Sequence, residues 1–182
     1  MTNIQKDFRK RKDIIFVGSL SHHPNLDAVL WFSKEIYPAI IKKFPDIIWY
    51  IIGIDANYEI KHLESKNIII KSYLDEKQLI SLYQKCRISI APLRFGAGVK
   101  GKIIEAAYNQ IPMVTTSIGG EGIDSTIGNI IIEDKAEKMS EVICNLYVNY
   151  TKLKEMSDFC NIFIKKYFSK EKAKEIILKD IY

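Results

Sequence analysis

Short runs of consecutive apolar residues alternate along the chain with longer stretches whose apolar positions recur every three or four residues. The runs DIIFVG (13–18), DIIWYIIG (46–53), KNIIIKSYL (66–74), RISIAPL (87–93), IPMVTTS (111–117) and NIIIE (129–133) read as strands. Between residues 23 and 44, Leu26, Val29, Leu30, Phe32 and Ile36 keep helical spacing, with Pro24 and Asn25 suited to a helix start. Pro38 predicts a kink in that helix or its last turns. YEIKHLE predicts a short helix, residues 75–86 a helix capped by Asp75, and Gly101 to Asn109 a further one. From Asp134 onward the pattern is helical, with breaks expected near Asn149–Thr151 and Phe168–Ser169.

Strands that are apolar along their whole length, each followed by a helix, predict a parallel sheet covered on both faces. Right-handed crossovers then give an α/β fold: a Rossmann-like, doubly wound parallel β-sheet with helices on both faces. The expected division is a polar lead-in over 1–12, the α/β domain over 13–166 and a C-terminal helix over 167–182. Ligands of such sheets lie at the carboxyl ends of the strands, here 18–25, 53–57, 72–75, 92–101 and 116–123.

Composition adds limits. The 182 residues are 47% hydrophobic and 27% charged, enough for one domain with a sizeable core. The net charge of +5 is mild, and the only basic cluster, FRKRKD near the start, reads as a solvated approach to the first strand. No basic face with interleaved aromatics is evident, so nucleic acid is not an expected partner. Cys86, Cys144 and Cys160 lack metal-ligand spacing, and Cys86 and Cys144 sit in apolar surroundings, as reduced buried thiols do. His22 and His23 are adjacent and do not share a helix face, so no metal is expected. A polar, charged start and the lack of a membrane-length apolar run lead to the expectation of a cytoplasmic chain.

The densest chemistry lies in RFGAGVKGKIIEAA (94–107). It contains Gly96-x-Gly98-x-x-Gly101 before a predicted helix, which as a pattern is a dinucleotide fingerprint. An NAD site needs that turn directly after the strand and an acid at the end of the next strand. Here Pro92 to Phe95 intervene, and the next strand ends VTTS, so an NAD-dependent oxidoreductase domain is the weaker alternative. The remaining physics favours an anion. A helix start offers unpaired N–H groups and partial positive charge, the glycines permit close approach, and Lys100 and Arg94 bring full charges. Glu105, one turn inside, suits the hydroxyls of a sugar diol; the alternative is a pair with Lys102 or Lys100 on a solvated face. Gly18 and Ser19 after strand one, and Gly119, Gly120 and Gly122 after strand five, extend the glycine-rich edge.

FVGSLSHHPNLDAVLWF, ISIAPLRFGAGVKGKIIEAA and PMVTTSIGGEGI, in that order and spacing, resemble the C-terminal, donor-binding domain of GT-B retaining glycosyltransferases. The resemblance implies a nucleotide-diphosphate sugar as donor; with no acidic metal pair in the sequence, the residues require no divalent metal, and no other cofactor is expected. It assigns Glu105 to the ribose hydroxyls, Gly18 and Ser19 to the diphosphate, Tyr73 to Asp75 to the nucleobase, and Gly119 and Gly120 to a loop near the donor. Arg94, Gly98 and Lys100 complete the expected donor site. Two departures stand out. Ala97 occupies the place of the first glutamate of the family's pair, and the usual arginine and lysine after strand one are not evident in GSLSHHPN. The resemblance further implies a missing N-terminal acceptor domain, in cis or in trans, with peripheral membrane contact open in the full enzyme. The expected activity is hexosyl transfer with retention, absent from the chain alone and with no catalytic group assigned in this half. A noncatalytic nucleotide-binding or assembly module is the alternative that Ala97 raises.

Overall fold

A computed structural model describes residues 7–169. Among them six parallel strands form one sheet: β1 (Asp13–Val17), β2 (Trp49–Ile52), β3 (Ile68–Lys71), β4 (Cys86–Ala91), β5 (Met113–Thr115) and β6 (Ile130–Ile132). Their order is β3-β2-β1-β4-β5-β6, with Ile14 opposite Trp49 and Ser89 opposite Met113. The strand order therefore reverses between β1 and β4, the switch point at which a doubly wound sheet opens a crevice. The expected α/β fold is the one observed.

Strand periodicity explains the layers. Ile14 and Phe16 of β1 enter one core with Trp49, Ile51, Ile88 and Ile90, while Ile15 enters the other with Tyr50 and Ile52. Because both faces are buried, both alternating sets must be apolar, which produces the uninterrupted runs. Helices α1 (His23–Trp31), α2 (Tyr37–Lys43) and α6 (Ala136–Val148) cover the first face. Helices α4 (Glu76–Lys85) and α5 (Gly101–Tyr108) cover the second, and α3 (Tyr58–Lys61) is one turn after β2. The long α7 (Tyr150–Phe168) packs outside α5, where Cys160 and Phe163 meet Ala107 and Ser157 Oγ donates to the Gln110 carbonyl at 2.8 Å.

Pro38 falls where the helical type changes. A π-helical turn, Phe32–Ile36, separates α1 from α2, and Pro38 lies in the first turn of α2. The proline has no N–H, and the wider turn before it relieves the clash with the preceding carbonyls. Asp75 caps α4 with a full capping box to Gln78, and Asn149 accepts from Lys152 N at the start of α7. The strands are shorter than the apolar runs: residues 66–74 yield only Ile68–Lys71, and 111–117 only Met113–Thr115. A 3₁₀ turn, Ser125–Ile127, was not visible in the periodicity.

The approach to β1 is solvated only in part: Arg9, Lys10 and Lys12 are exposed, as expected, but two residues of the segment turn inward. Phe8 and Arg11 are buried, with the Arg11 guanidinium 4.4 Å from the Phe8 ring centre. Arg87 of β4 ties this segment down. Its Nε donates to the Phe8 carbonyl at 3.1 Å and Nη1 to the Tyr147 carbonyl at 2.9 Å, and Nη2 reaches the Arg11 carbonyl. The basic cluster FRKRKD therefore contributes one apolar and one stacked cationic side chain to the core. All three cysteines are free and buried. The C-terminal helix expected over 167–182 lies mostly outside the described residues; Tyr167 and Phe168 end α7.

Candidate donor site at the switch point

Six loops leave the carboxyl edge, one from each strand, and two of the helices that follow begin in an unusual way. Asn57 caps α3 and Asp75 caps α4; α6 has no side-chain cap but carries Glu137 in its first turn. By contrast α1 and α5, which leave the two strands of the switch point, have neither a side-chain cap nor an acid in the first turn. Two helix starts with exposed positive ends thus meet in one crevice without an internal counter-charge.

They touch through two side chains. Lys102 Nζ of α5 lies 2.6 Å from Asn25 Oδ1 of α1, and Asn25 Nδ2 donates to the Ser19 carbonyl at 2.8 Å. Gly18 lies beneath them. A Cβ at that position would meet Asn25 Nδ2 at 2.8 Å and Lys102 Cε at 3.2 Å, so the close packing depends on the missing side chain. Burial and the neighbouring Lys100 push the Lys102 amine down to about 8.

The two cations singled out in the sequence are placed differently. Arg94 Nε donates to Asp27 Oδ2 at 2.9 Å, Nη2 reaches Asp27 Oδ1, and the guanidinium stands over the Trp31 ring at 5.5 Å. Lys100 Nζ lies 3.3 Å from Glu121 Oε2 and also reaches the Gly98 carbonyl. Each is engaged by a carboxylate. No carboxylate among the described residues lies within 4.0 Å of Lys102 Nζ. Sequence spacing gave no reason to prefer Lys102, since its contact to Asn25 joins residues 77 positions apart.

Glu105 is half-buried on α5, and burial pushes its carboxyl above the usual range. The buried Tyr83 hydroxyl of α4 faces it and pulls the other way, although the pair falls outside ordinary hydrogen-bond geometry. Glu105 therefore does not pair with Lys102 or Lys100. The Ser19 hydroxyl meets that of Ser21 at 3.0 Å. Gly96 and Gly98 turn the loop with positive φ, and Ala97 between them is exposed. After β5, Gly119 N donates to Thr116 Oγ1 at 3.0 Å, and Gly120 backs onto Ile132. Tyr73 is exposed after β3 at the sheet edge, beyond β2, and Asp75 beside it is engaged in its capping box. The structure thus gathers Gly18, Ser19, Gly98 and Lys100 around the switch point, adds Asn25 and Lys102, and leaves Tyr73 toward the rim. A separate open concavity of about 930 Å³, lined by Phe8, Tyr150 and Lys154 among others, lies at the opposite edge, where β1 begins and α6 ends.

Residues 11–149 match the family described as glycosyl transferases group 1. A Klebsiella pneumoniae protein, described as an uncharacterized 44.6 kDa protein in the cps region, is 30% identical over 177 residues, covering 92% of this chain and 45% of its own. The chain thus spans about half the length of that relative. A mutant of S. aureus TarM, solved with UDP among its ligands, superposes with a TM-score of 0.76 at 18% identity, over 98% of this chain and 36% of that one. Sucrose-phosphate synthase from Thermosynechococcus elongatus gives 0.69 at 14% identity, over 99% and 46%. No helix among the described residues is long and apolar enough to cross a membrane. The chain belongs to the glycosyl transferases group 1 family, and its fold is the Rossmann-like domain of a GT-B glycosyltransferase.

Proposed function

We propose that this chain is the donor-binding, C-terminal half of a retaining glycosyltransferase that takes its sugar from a nucleotide-diphosphate sugar. The observation that carries the reading is the meeting of α1 and α5 at the switch point, with two helix starts free of internal acids. Such a pair of positive ends suits a diphosphate and stabilises the charge that develops on it as the sugar leaves. Glu105, one turn deeper, would accept from the ribose hydroxyls; Gly119 and Gly120 would border the donor. The positive charge is supplied by side chains and helix ends, so the reading needs no metal. An acceptor-binding partner domain would close the other wall of the cleft. Family membership and the UDP bound to the TarM mutant support the reading.

Calorimetric titration with UDP, GDP, ADP and NAD tests it. Binding of a nucleoside diphosphate in preference to NAD is the expected result; preference for NAD, or no binding at all, overturns it. Ala97, exposed where the family carries a glutamate, favours a second reading, a noncatalytic nucleotide-binding module. Pairing the chain with its partner domain and assaying donor hydrolysis separates the two: turnover supports the enzyme, and tight binding without turnover supports the module.

A further inference from the structure

We infer that Lys102, held in place by Asn25, is the side chain that meets the donor's diphosphate, an assignment that rests on the donor-site reading above. Three independent features of the fold lead to it. First, Arg94 and Lys100 are already engaged by Asp27 and Glu121, so an incoming anion must compete with a carboxylate for either. Lys102 has no such competitor among the described residues; its contact is the neutral oxygen of Asn25 at 2.6 Å.

Second, the contact is built rather than incidental. Asn25 is itself buried and fixed by the Ser19 carbonyl, which orients its oxygen toward the amine. Gly18 leaves the space in which the Lys102 stem lies along the end of β1, and the amine stands 5.3 Å from the Phe16 ring centre. Third, the amine lies between the uncapped starts of α1 and α5, so an anion that reaches it also reaches both helix ends.

The electrostatics agree. A largely buried ammonium beside a second cation is disfavoured, and an arriving diphosphate removes that penalty. Around Lys102, the loop before α5 contributes Lys100 as a charged neighbour; β1 and α1 contribute Gly18, Phe16 and Asn25, none of which titrates. With its pKa near 8 in the free protein, the amine is largely neutral at pH 8.5 and must take up a proton when the diphosphate binds. Arg94 gives no such signature, since guanidinium groups stay charged.

The experiment is calorimetry on the full chain with UDP, GDP and ADP, and with the corresponding nucleosides, at pH 7.0 and 8.5 in buffers of different ionisation heat. Lys102→Met should weaken the best diphosphate ligand about tenfold or more and leave the nucleoside within about twofold, whereas Lys100→Met should cost less than about threefold. The wild-type chain should take up a proton on diphosphate binding at pH 8.5, and Lys102→Arg should bind without uptake. Undiminished diphosphate affinity in Lys102→Met, or uptake that persists in Lys102→Arg, overturns the assignment while leaving the donor site standing. If Lys102→Met does not fold, the comparison of wild type with Lys102→Arg decides alone. A wild-type chain that binds none of the diphosphates overturns the donor-site reading and this assignment together.

Discussion

Arg94 and Asp27 form a two-pronged ion pair that fastens the glycine-rich loop after β4 to the side of α1. The pair lies at the mouth of the crevice, with roughly half of the arginine side chain in solvent, and Trp31 backs the guanidinium. Its geometry makes Arg94 a brace for the loop, with its charge already answered.

Arg94→Ala should therefore disturb structure slightly and ligand binding little. A solvent-exposed ion pair contributes roughly 0–1 kcal/mol, so denaturant unfolding should shift by no more than about that amount. Affinity for a nucleoside diphosphate should change by less than about threefold. A loss of an order of magnitude would place Arg94 on the ligand.

Glu105→Gln should move stability and binding in opposite directions. The Glu105 carboxyl is raised by burial, so its neutral form is the one the fold favours. A raised acid contributes stability below its unfolded pKa and loses it as pH rises through the folded value. The uncharged amide should therefore make the protein modestly more stable at pH 7, with little difference near pH 4. Diphosphate binding should meanwhile weaken by roughly 1–3 kcal/mol, and by less for a 2′,3′-dideoxyribose analogue. Equal losses for both ligands would remove the ribose from Glu105.

Lys102→Met should likewise stabilise the empty protein at neutral pH. The amine is lowered to about 8, so its contribution is present above the unfolded pKa and is lost as pH falls through 8. A neutral side chain of similar length removes that loss, for a gain of roughly 1–3 kcal/mol at pH 7 that shrinks toward pH 10. Thermal unfolding across that pH range reads it directly; a variant less stable than wild type at every pH would show that the amine is well solvated.

Arg87→Met should destabilise the fold by roughly 2–5 kcal/mol, because the buried carbonyls of Phe8, Arg11 and Tyr147 lose their donor together. Urea unfolding checks it. A change below about 1 kcal/mol would mean that water replaces the guanidinium without strain.

The alternation of strands and helices was legible because both faces of this sheet are buried, so Ile14, Ile15 and Phe16 all had to be apolar. Asp75 was legible as a cap because capping is local, three residues from donor to acceptor. What stayed hidden acts over distance. Nothing in RFGAGVKGKIIEAA says that Asp27 and Glu121 neutralise Arg94 and Lys100, or that Lys102 reaches back to Asn25. Charge density in sequence pointed to the switch-point crevice and not to the side chain left without a carboxylate. FRKRKD was read correctly at Arg9, Lys10 and Lys12 and not at Phe8 and Arg11, whose carbonyls are held by Arg87, a residue 76 positions beyond Arg11.

The π-helical turn at Phe32–Ile36 has a consequence for how the crevice can be altered. In a regular helix each residue advances the face by about 100°, so the orientation of Asn25 would dictate that of Tyr37 and Ile40. The wide turn offsets that phase by a fixed amount. Tyr37 is free to lie against Trp49, with ring centres 5.4 Å apart, and to donate to the Asn67 carbonyl at 2.8 Å, while Asn25 keeps its place under the Lys102 amine. The segment acts as a phase adjuster between an anchoring half and a crevice-facing half. Substitutions at residues 19–28 thus reshape the crevice wall while the anchoring half stays in register with the sheet. Removing one residue from the turn would return Tyr37 and Ile40 to the regular phase set by Asn25 and swing them away from Trp49.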